Sequence, residues 1–268
     1  MGIIKKYVNM LANTNEETLE KIAEFEKEGK FNEHLDSNPA SYIPVDKDYE
    51  YLPKRFFKRA GYFFKRQFIV NPFERQANKL FKTVAIGREN IKGIKNAIVC
   101  CNHVNKLDCM AIRKALRPHK TYFTAAEFNN MEGFLGEMMR VGGLLPMSNN
   151  FSAQKNFFDC LNKLLTSGNY VTFFPERAEW WGYERPRPHE KGAYHIAIKY
   201  NVPIVPVFIT FNQTEKSMAS KTGIKQFVVN ILKPIYPNKE LTDKDNIERM
   251  MTECLNQYWQ CYNEFYKI

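Results

Sequence analysis

Residues 97–108 read Ala97-Ile98-Val99-Cys100-Cys101-Asn102-His103-Val104-Asn105-Lys106-Leu107-Asp108. The first five are uniformly apolar, as in a strand covered on both faces. The polar cluster after them is a turn, and the spacing of Leu107 to Leu116 predicts a helix. This strand, turn and helix unit recurs along the chain. Thr83 to Ile86, Thr121 to Ala125, Tyr170 to Phe174, Ile204 to Thr210 and Phe227 to Leu232 read as further strands. Gly133 to Val141, Ser152 to Leu165, Lys191 to Tyr200 and Asp245 to Tyr266 read as helices. Strands alternating with helices predict an α/β layered domain.

The 268 residues fit one large domain with an appendage. Hydrophobic residues make up 44% and charged residues 25%, which excludes a disordered or fibrous chain. The longest apolar run, Val202 to Ile209, is interrupted by two prolines. A spanning helix needs roughly 20 predominantly apolar residues, so none is expected. The opening Met1-Gly2-Ile3-Ile4-Lys5-Lys6 reads neither as a secretory signal nor as a myristoylation site. The cysteines form no C-x-x-C pair and are expected as reduced thiols.

The formal charge is +10, unevenly spread. Residues 1–50 hold 6 basic and 11 acidic residues, a net of −5, which leaves +15 on residues 51–268. A basic body points to an anionic partner. Asn15 to Lys30 reads as an acidic helix, capped by Thr14 or Asn15 and ended by Gly29. Ser37-Asn38-Pro39 and Ile43-Pro44 mark a connector, and the boundary of an acidic helical appendage falls near residue 50. The appendage would cover the basic body, bind a partner or move freely.

Residues 51–70 carry Lys54, Arg55, Lys58, Arg59, Lys65 and Arg66, no acid, and an interleaved set that includes Phe56, Phe57, Phe63 and Phe64. Such a segment can lie in a membrane interface, with aromatics in the headgroup boundary and cations on anionic lipid. Near a charged leaflet each cation contributes about 1 kcal/mol. A helix packing its Phe residues on the sheet is the plainer alternative. A nucleic-acid surface would use the same residue types, but no nucleic-acid-binding motif supports it and no such partner is expected.

Two constellations carry chemistry. His103 at the end of a strand and Asp108 in the first turn of a helix can meet across the turn. The carboxylate would then hold one ring nitrogen and leave the other as a base. A His–Asp dyad without a serine can activate a substrate's own hydroxyl. Glu176 follows the apolar strand ending Phe174-Pro175, where sheet ligands bind. A zinc site from Cys100, Cys101, His103 and Cys109 is disfavoured, because adjacent strand residues point to opposite faces.

Taken in order, these blocks resemble the lysophospholipid acyltransferase family, typified by 1-acylglycerol-3-phosphate acyltransferases. Asn102, His103 and Asp108 match its N-H-x-x-x-x-D block. Phe174-Pro175-Glu176 matches the start of its F-P-E-G block, and Val202 to Val207 its V-P-I-x-P-V strand, after Lys191-Gly192-Ala193. The resemblance spans about residues 80–235. It departs at Gly142 to Asn149, where an Arg is missing, and at Glu176-Arg177-Ala178-Glu179, where a Gly and an Arg are replaced.

The resemblance implies the glycerolipid acyltransferase fold, a mixed, largely parallel central sheet flanked by helices. It implies acyl transfer from acyl-CoA or acyl-carrier protein to a hydroxyl of a lysophospholipid or related glycerolipid, with no cofactor or metal. His103 would be the base and Asp108 its orienter. Asn102 and Glu176 would help hold the acceptor. Arg177, Arg185 and Arg187 would replace the missing phosphate donors. The enzyme would be cytoplasmic, attached peripherally to the inner face of the cell membrane. A catalytically reduced relative that binds lipid or a partner is the alternative.

Overall fold

Strand β2, Ala97–Cys101, is buried along its whole length. Side chains alternate across a strand, so it supplies two cores at once. Ala97, Val99 and Cys101 enter one apolar cluster, whereas Ile98 and Cys100 enter another. Cys100 and Cys101 therefore diverge, which removes the geometry a shared metal would need. The computed structural model describes residue 6 and residues 15–35, 41–215, 218 and 223–268.

The other strands are β1 (Val84–Ile86), β3 (Thr121–Ala126), β4 (Leu144–Met147), β5 (Tyr170–Phe173), β6 (Ile204–Asn212) and β7 (Gln226–Ile231). The seven form one sheet in the order β1-β7-β6-β2-β5-β3-β4. Strands β6, β2, β5, β3 and β4 are mutually parallel. Strand β7 is antiparallel to β6 and parallel to β1, so the sheet is mixed and largely parallel. Strand β4 includes Pro146 and lies at the sheet edge, where a missing N–H is tolerated.

The helices are α1 (Glu16–Lys27), α2 (Phe56–Lys65), α3 (Asn71–Leu80), α4 (Asp108–Ala115), α5 (Gly133–Val141), α6 (Phe151–Thr166), α7 (Gly192–Lys199) and α8 (Asp243–Tyr266). One face of the sheet is covered by α3 and α4 through Ala77, Ala111, Ile112 and Ala115. The opposite face is covered by α6, α7 and α8 through Leu161, Tyr194, Met250 and Tyr258. No helix among the described residues is long and apolar enough to cross a membrane.

Two elements differ from the sequence expectation. Helix α3 was not among the expected helices, and Pro72 stands in its first turn. The wide π turn Arg66–Val70 links α2 to α3 just before it. The basic-aromatic segment also does not pack its Phe residues on the sheet: no residue of α2 is buried. Phe56, Phe57, Phe63 and Phe64 are 76%, 86%, 58% and 57% exposed.

Asn15 caps α1 by accepting from Thr18 N–H, and Gly29 leaves the helix at a φ of 68°. Thr14, Met1 to Lys5 and Ser37-Asn38-Pro39 lie outside the described residues. Helix α1 and its following turn do cover part of the basic body. Ile22, Phe25, Phe31 and Leu35 enclose Ala178 and Trp180.

Candidate active site

The site forms where β2 and β5 end. The turn after β2 is pinned to its neighbour by Asn102. Its amide donates to the Ile209 carbonyl at 3.0 Å, and its Oδ1 accepts from Ile209 N–H at 2.8 Å. Asn102 is thus a buried strut between β2 and β6. Its side chain serves the fold rather than facing an acceptor, which corrects the expectation of a direct substrate contact.

His103 is the next residue, and Asp108 opens α4. Asp108 Oδ2 lies 2.7 Å from His103 Nδ1 and also accepts from Val104 N–H at 3.2 Å. Asn105 shapes the intervening turn by accepting from Leu107 N–H at 3.0 Å. A carboxylate acceptor on Nδ1 makes that nitrogen the N–H of the neutral ring and leaves Nε2 with its lone pair. The imidazole is also stacked on Phe174, with ring centroids 4.0 Å apart. Its orientation is therefore fixed from two sides.

The backbone of His103 is held as firmly as its ring. Glu176 Oε2 accepts from His103 N–H at 3.2 Å. The His103 carbonyl accepts from Trp180 N–H at 2.9 Å and from Arg187 Nη2 at 3.2 Å. Glu176 and Arg187 are each 1% exposed and pair with each other, Nη2 to Oε2 at 2.7 Å and Nε to Oε2 at 3.1 Å. The remaining guanidinium donors reach the carbonyls of Phe31 and Ala178 at 3.2 and 2.6 Å. Trp180 lies beneath the same guanidinium, 4.6 Å from its carbon to the ring centroid.

Arg187 is therefore not a free fork for phosphate, because its donors are spent on protein. Glu176 likewise spends both oxygens on backbone N–H groups and Arg187. These two positions act on the base through the backbone instead. Arg185 donates to Glu26 of α1 at 2.9 Å, next to Tyr183, which donates to the same carboxylate. Arg177 is exposed and adopts a φ of 66°, the left-handed region that favours glycine. The backbone explains why the resembling block has Gly there. Of the expected site residues, the structure gathers Asn102, His103, Asp108, Glu176 and Arg187, pairs Arg185 with Glu26, and leaves Arg177 exposed on the same loop.

The sequence reading missed Glu179. Its Oε2 lies 3.6 Å from His103 Nε2, beyond hydrogen-bonding range, and Trp181 Nε1 donates to its other oxygen. The signal was available in the replacement of an expected Arg within Glu176 to Glu179. It also missed the N-terminal segment, whose Glu33 carbonyl accepts from Trp180 Nε1 at 3.0 Å. His34 has a lowered pKa, through burial and then the charges of Arg177 and His103, so this segment lies within electrostatic reach of the base.

Burial opposes the charged form of His103, but the carboxylates of Asp108 and Glu179 outweigh it and raise its pKa above the ordinary histidine value. Burial pushes the Glu179 carboxyl up to about 7, with His103 pulling the other way. Among the described residues, no group of three or more His, Cys, Asp or Glu is placed to hold a metal ion. A neutral His103 with a carboxylate on Nδ1 can take a proton from a hydroxyl at Nε2.

Comparisons with known proteins find these similarities. The Acyltransferase family model matches residues 82–210, which span the dyad, Glu176 and Arg187. The 1-acyl-sn-glycerol-3-phosphate acyltransferase of Saccharomyces cerevisiae is 30% identical over 167 residues, 59% of this chain and 53% of the yeast protein. The chloroplastic 1-acyl-sn-glycerol-3-phosphate acyltransferase BAT2 of Brassica napus is 30% identical over 186 residues, 66% of this chain and 52% of its own. The chain thus spans about half the length of the curated relatives it matches. Among solved structures, the 1-acyl-sn-glycerophosphate (LPA) acyltransferase PlsC of Thermotoga maritima matches with a TM-score of 0.46 and 18% identity, over 74% of this chain and 87% of that one.

The buried ion pair generates a prediction about stability. Removing one partner of such a pair costs about 3–5 kcal/mol. Arg187→Met should lower unfolding stability by that amount in urea titrations. The double variant Glu176→Gln/Arg187→Met should lose less than the two single changes summed, with a coupling of about 1 kcal/mol or more. Additive losses would show that the pair does not act as a unit.

Proposed function

Because residues 82–210 match the Acyltransferase family model, we propose that this protein moves a fatty acyl group from an acyl thioester to a hydroxyl of a lysophospholipid or related glycerolipid. The observation that carries this reading is the 2.7 Å contact between His103 Nδ1 and Asp108 Oδ2, on an imidazole that is partly exposed.

The acceptor oxygen attacks the thioester carbonyl carbon while its proton passes to His103 Nε2. Asp108 stabilises the imidazolium that results and keeps the ring in the productive tautomer. Collapse of the tetrahedral intermediate breaks the carbon–sulfur bond. The imidazolium returns its proton to the departing thiolate, so the products are an ester and a free thiol. The step draws on no cofactor and forms no acyl-enzyme. Acyl-CoA and acyl-carrier protein both present the required thioester, and either serves as donor in this scheme.

The reaction takes place at an anionic membrane surface in this proposal, with the protein attached peripherally on the cytoplasmic side. Support comes from α2, whose four Phe residues at 56, 57, 63 and 64 are solvent-exposed with no apolar cover. Lys54, Arg55, Lys58 and Arg59 surround them. Lys58 is tied to Glu50 and Lys65 to Glu137, which fixes the helix against the body. Phe134 and Leu135 at the start of α5 add further exposed apolar surface.

Incubation of the protein with a labelled acyl thioester and a panel of lysolipids should give ester product. His103→Ala should reduce the rate by a factor of about 100 or more, the usual worth of a general base. Transfer unaffected by that change would remove the dyad from the mechanism. Absence of transfer to every acceptor would support a protein that binds lipid without acylating it. The membrane claim is checked by co-sedimentation with vesicles. Binding should be stronger to anionic than to neutral vesicles and should weaken with salt. It should also fall in Phe56→Ser/Phe57→Ser. Equal binding to both vesicle types, or to neither, would refute the attachment.

A further inference from the structure

Glu179 is the one carboxylate at the base for which the acyl-transfer step has no use. Its Oε2 stands 3.6 Å from His103 Nε2, the atom that receives the acceptor's proton. The two side chains are 23% and 21% exposed and open to the same solvent. Trp181 Nε1 holds the other carboxylate oxygen, and Lys106 Nζ lies 4.1 Å from the Trp181 ring centroid. An acceptor hydroxyl that reaches Nε2 therefore arrives beside Glu179.

We propose that Glu179 determines acceptor specificity: it favours a hydroxyl whose neighbouring carbon carries a second free hydroxyl and disfavours one whose neighbouring carbon carries a phosphate. This rests on the acyl-transfer reading above. Hydroxyls on adjacent carbons are close enough for one to donate to Nε2 while the other donates to Oε2. The 3.6 Å separation suits such a pair. The first hydroxyl is acylated, its proton leaving through His103. The second only donates a hydrogen bond, and Glu179 ends the cycle unchanged.

A phosphate on the neighbouring carbon meets the opposite situation. It offers acceptors where an acceptor already stands, and it brings like charge against the carboxylate. Arg187 is not free to offset this, because its guanidinium is buried and committed to Glu176 and three carbonyls. Arg185 is committed to Glu26.

The test compares two acceptors that share one acyl chain and differ only at the neighbouring carbon: 1-acylglycerol and 1-acylglycerol 3-phosphate. The full chain is assayed with labelled acyl-CoA or acyl-carrier protein at a pH above about 7, where the Glu179 carboxyl is ionised. The wild type should favour 1-acylglycerol in kcat/KM by about tenfold or more, equivalent to about 1.4 kcal/mol. Glu179→Arg should move the ratio toward the phosphate by about tenfold. Glu179→Gln, which keeps the shape, should move it in the same direction by less. Where Glu179→Arg does not fold, the wild-type ratio and Glu179→Gln decide.

A wild type that prefers the phosphate or shows no preference overturns the proposal, as does a ratio that neither folded variant moves. In both cases His103-dependent transfer persists and the acyl-transfer reading stands. Absence of transfer to both acceptors overturns the specificity proposal, and the acyl-transfer reading falls with it only where the lysolipid panel gives no ester either.

Discussion

The buried pair between Glu176 and Arg187 is the interaction on which the site depends. Neither side chain meets solvent, and each is worth keeping only because the other is there. Between them they hold His103 by both backbone groups, Glu176 on its N–H and Arg187 on its carbonyl. The ring is then left to Asp108 and Phe174. A general base has to be held within a fraction of an ångström to be effective, and here the restraint comes from the loop after β5 rather than from the strand that carries the base.

The same loop explains the acidic N-terminal segment. Trp180 presents its indole N–H to the Glu33 carbonyl and its ring to the Arg187 guanidinium. Phe25 and Phe31 pack against that ring, and Glu26 receives Tyr183 and Arg185. The loop and the acidic helix are thus joined by the ion pair of Arg185 with Glu26 and by the aromatic contacts of Trp180. The charge contrast of −5 against +15 is in part an internal contact, and in part the exposed cations of α2.

Much of this was legible beforehand. Strand β2 begins and ends where its apolar run does, because a strand buried on both faces has a pattern with few alternatives. The His103–Asp108 pair was legible from spacing across a turn. Roles that depend on distant partners were not. Nothing local distinguishes Arg187, which is buried, from Arg185, two residues earlier and exposed. Their difference lies in Glu176 and the Phe31 carbonyl on one hand and Glu26 on the other, and Phe31 and Glu26 are far away in sequence. Glu179 was passed over because its significance is its distance to Nε2, which no spacing reveals.

His103 acts as a base whose proton affinity is lowered by burial and raised above the ordinary value by Asp108 and then Glu179. This role is tested most directly by the pH dependence of acyl transfer. The base must be neutral to work, and its pKa is raised above 6.5 in the folded protein. Transfer should therefore fall as pH drops through the ionisation of His103, which lies above the ordinary histidine value. Asp108→Asn should slow transfer and move that ionisation to lower pH. A profile that is flat across this range, or one that Asp108→Asn leaves where it was, would contradict the account.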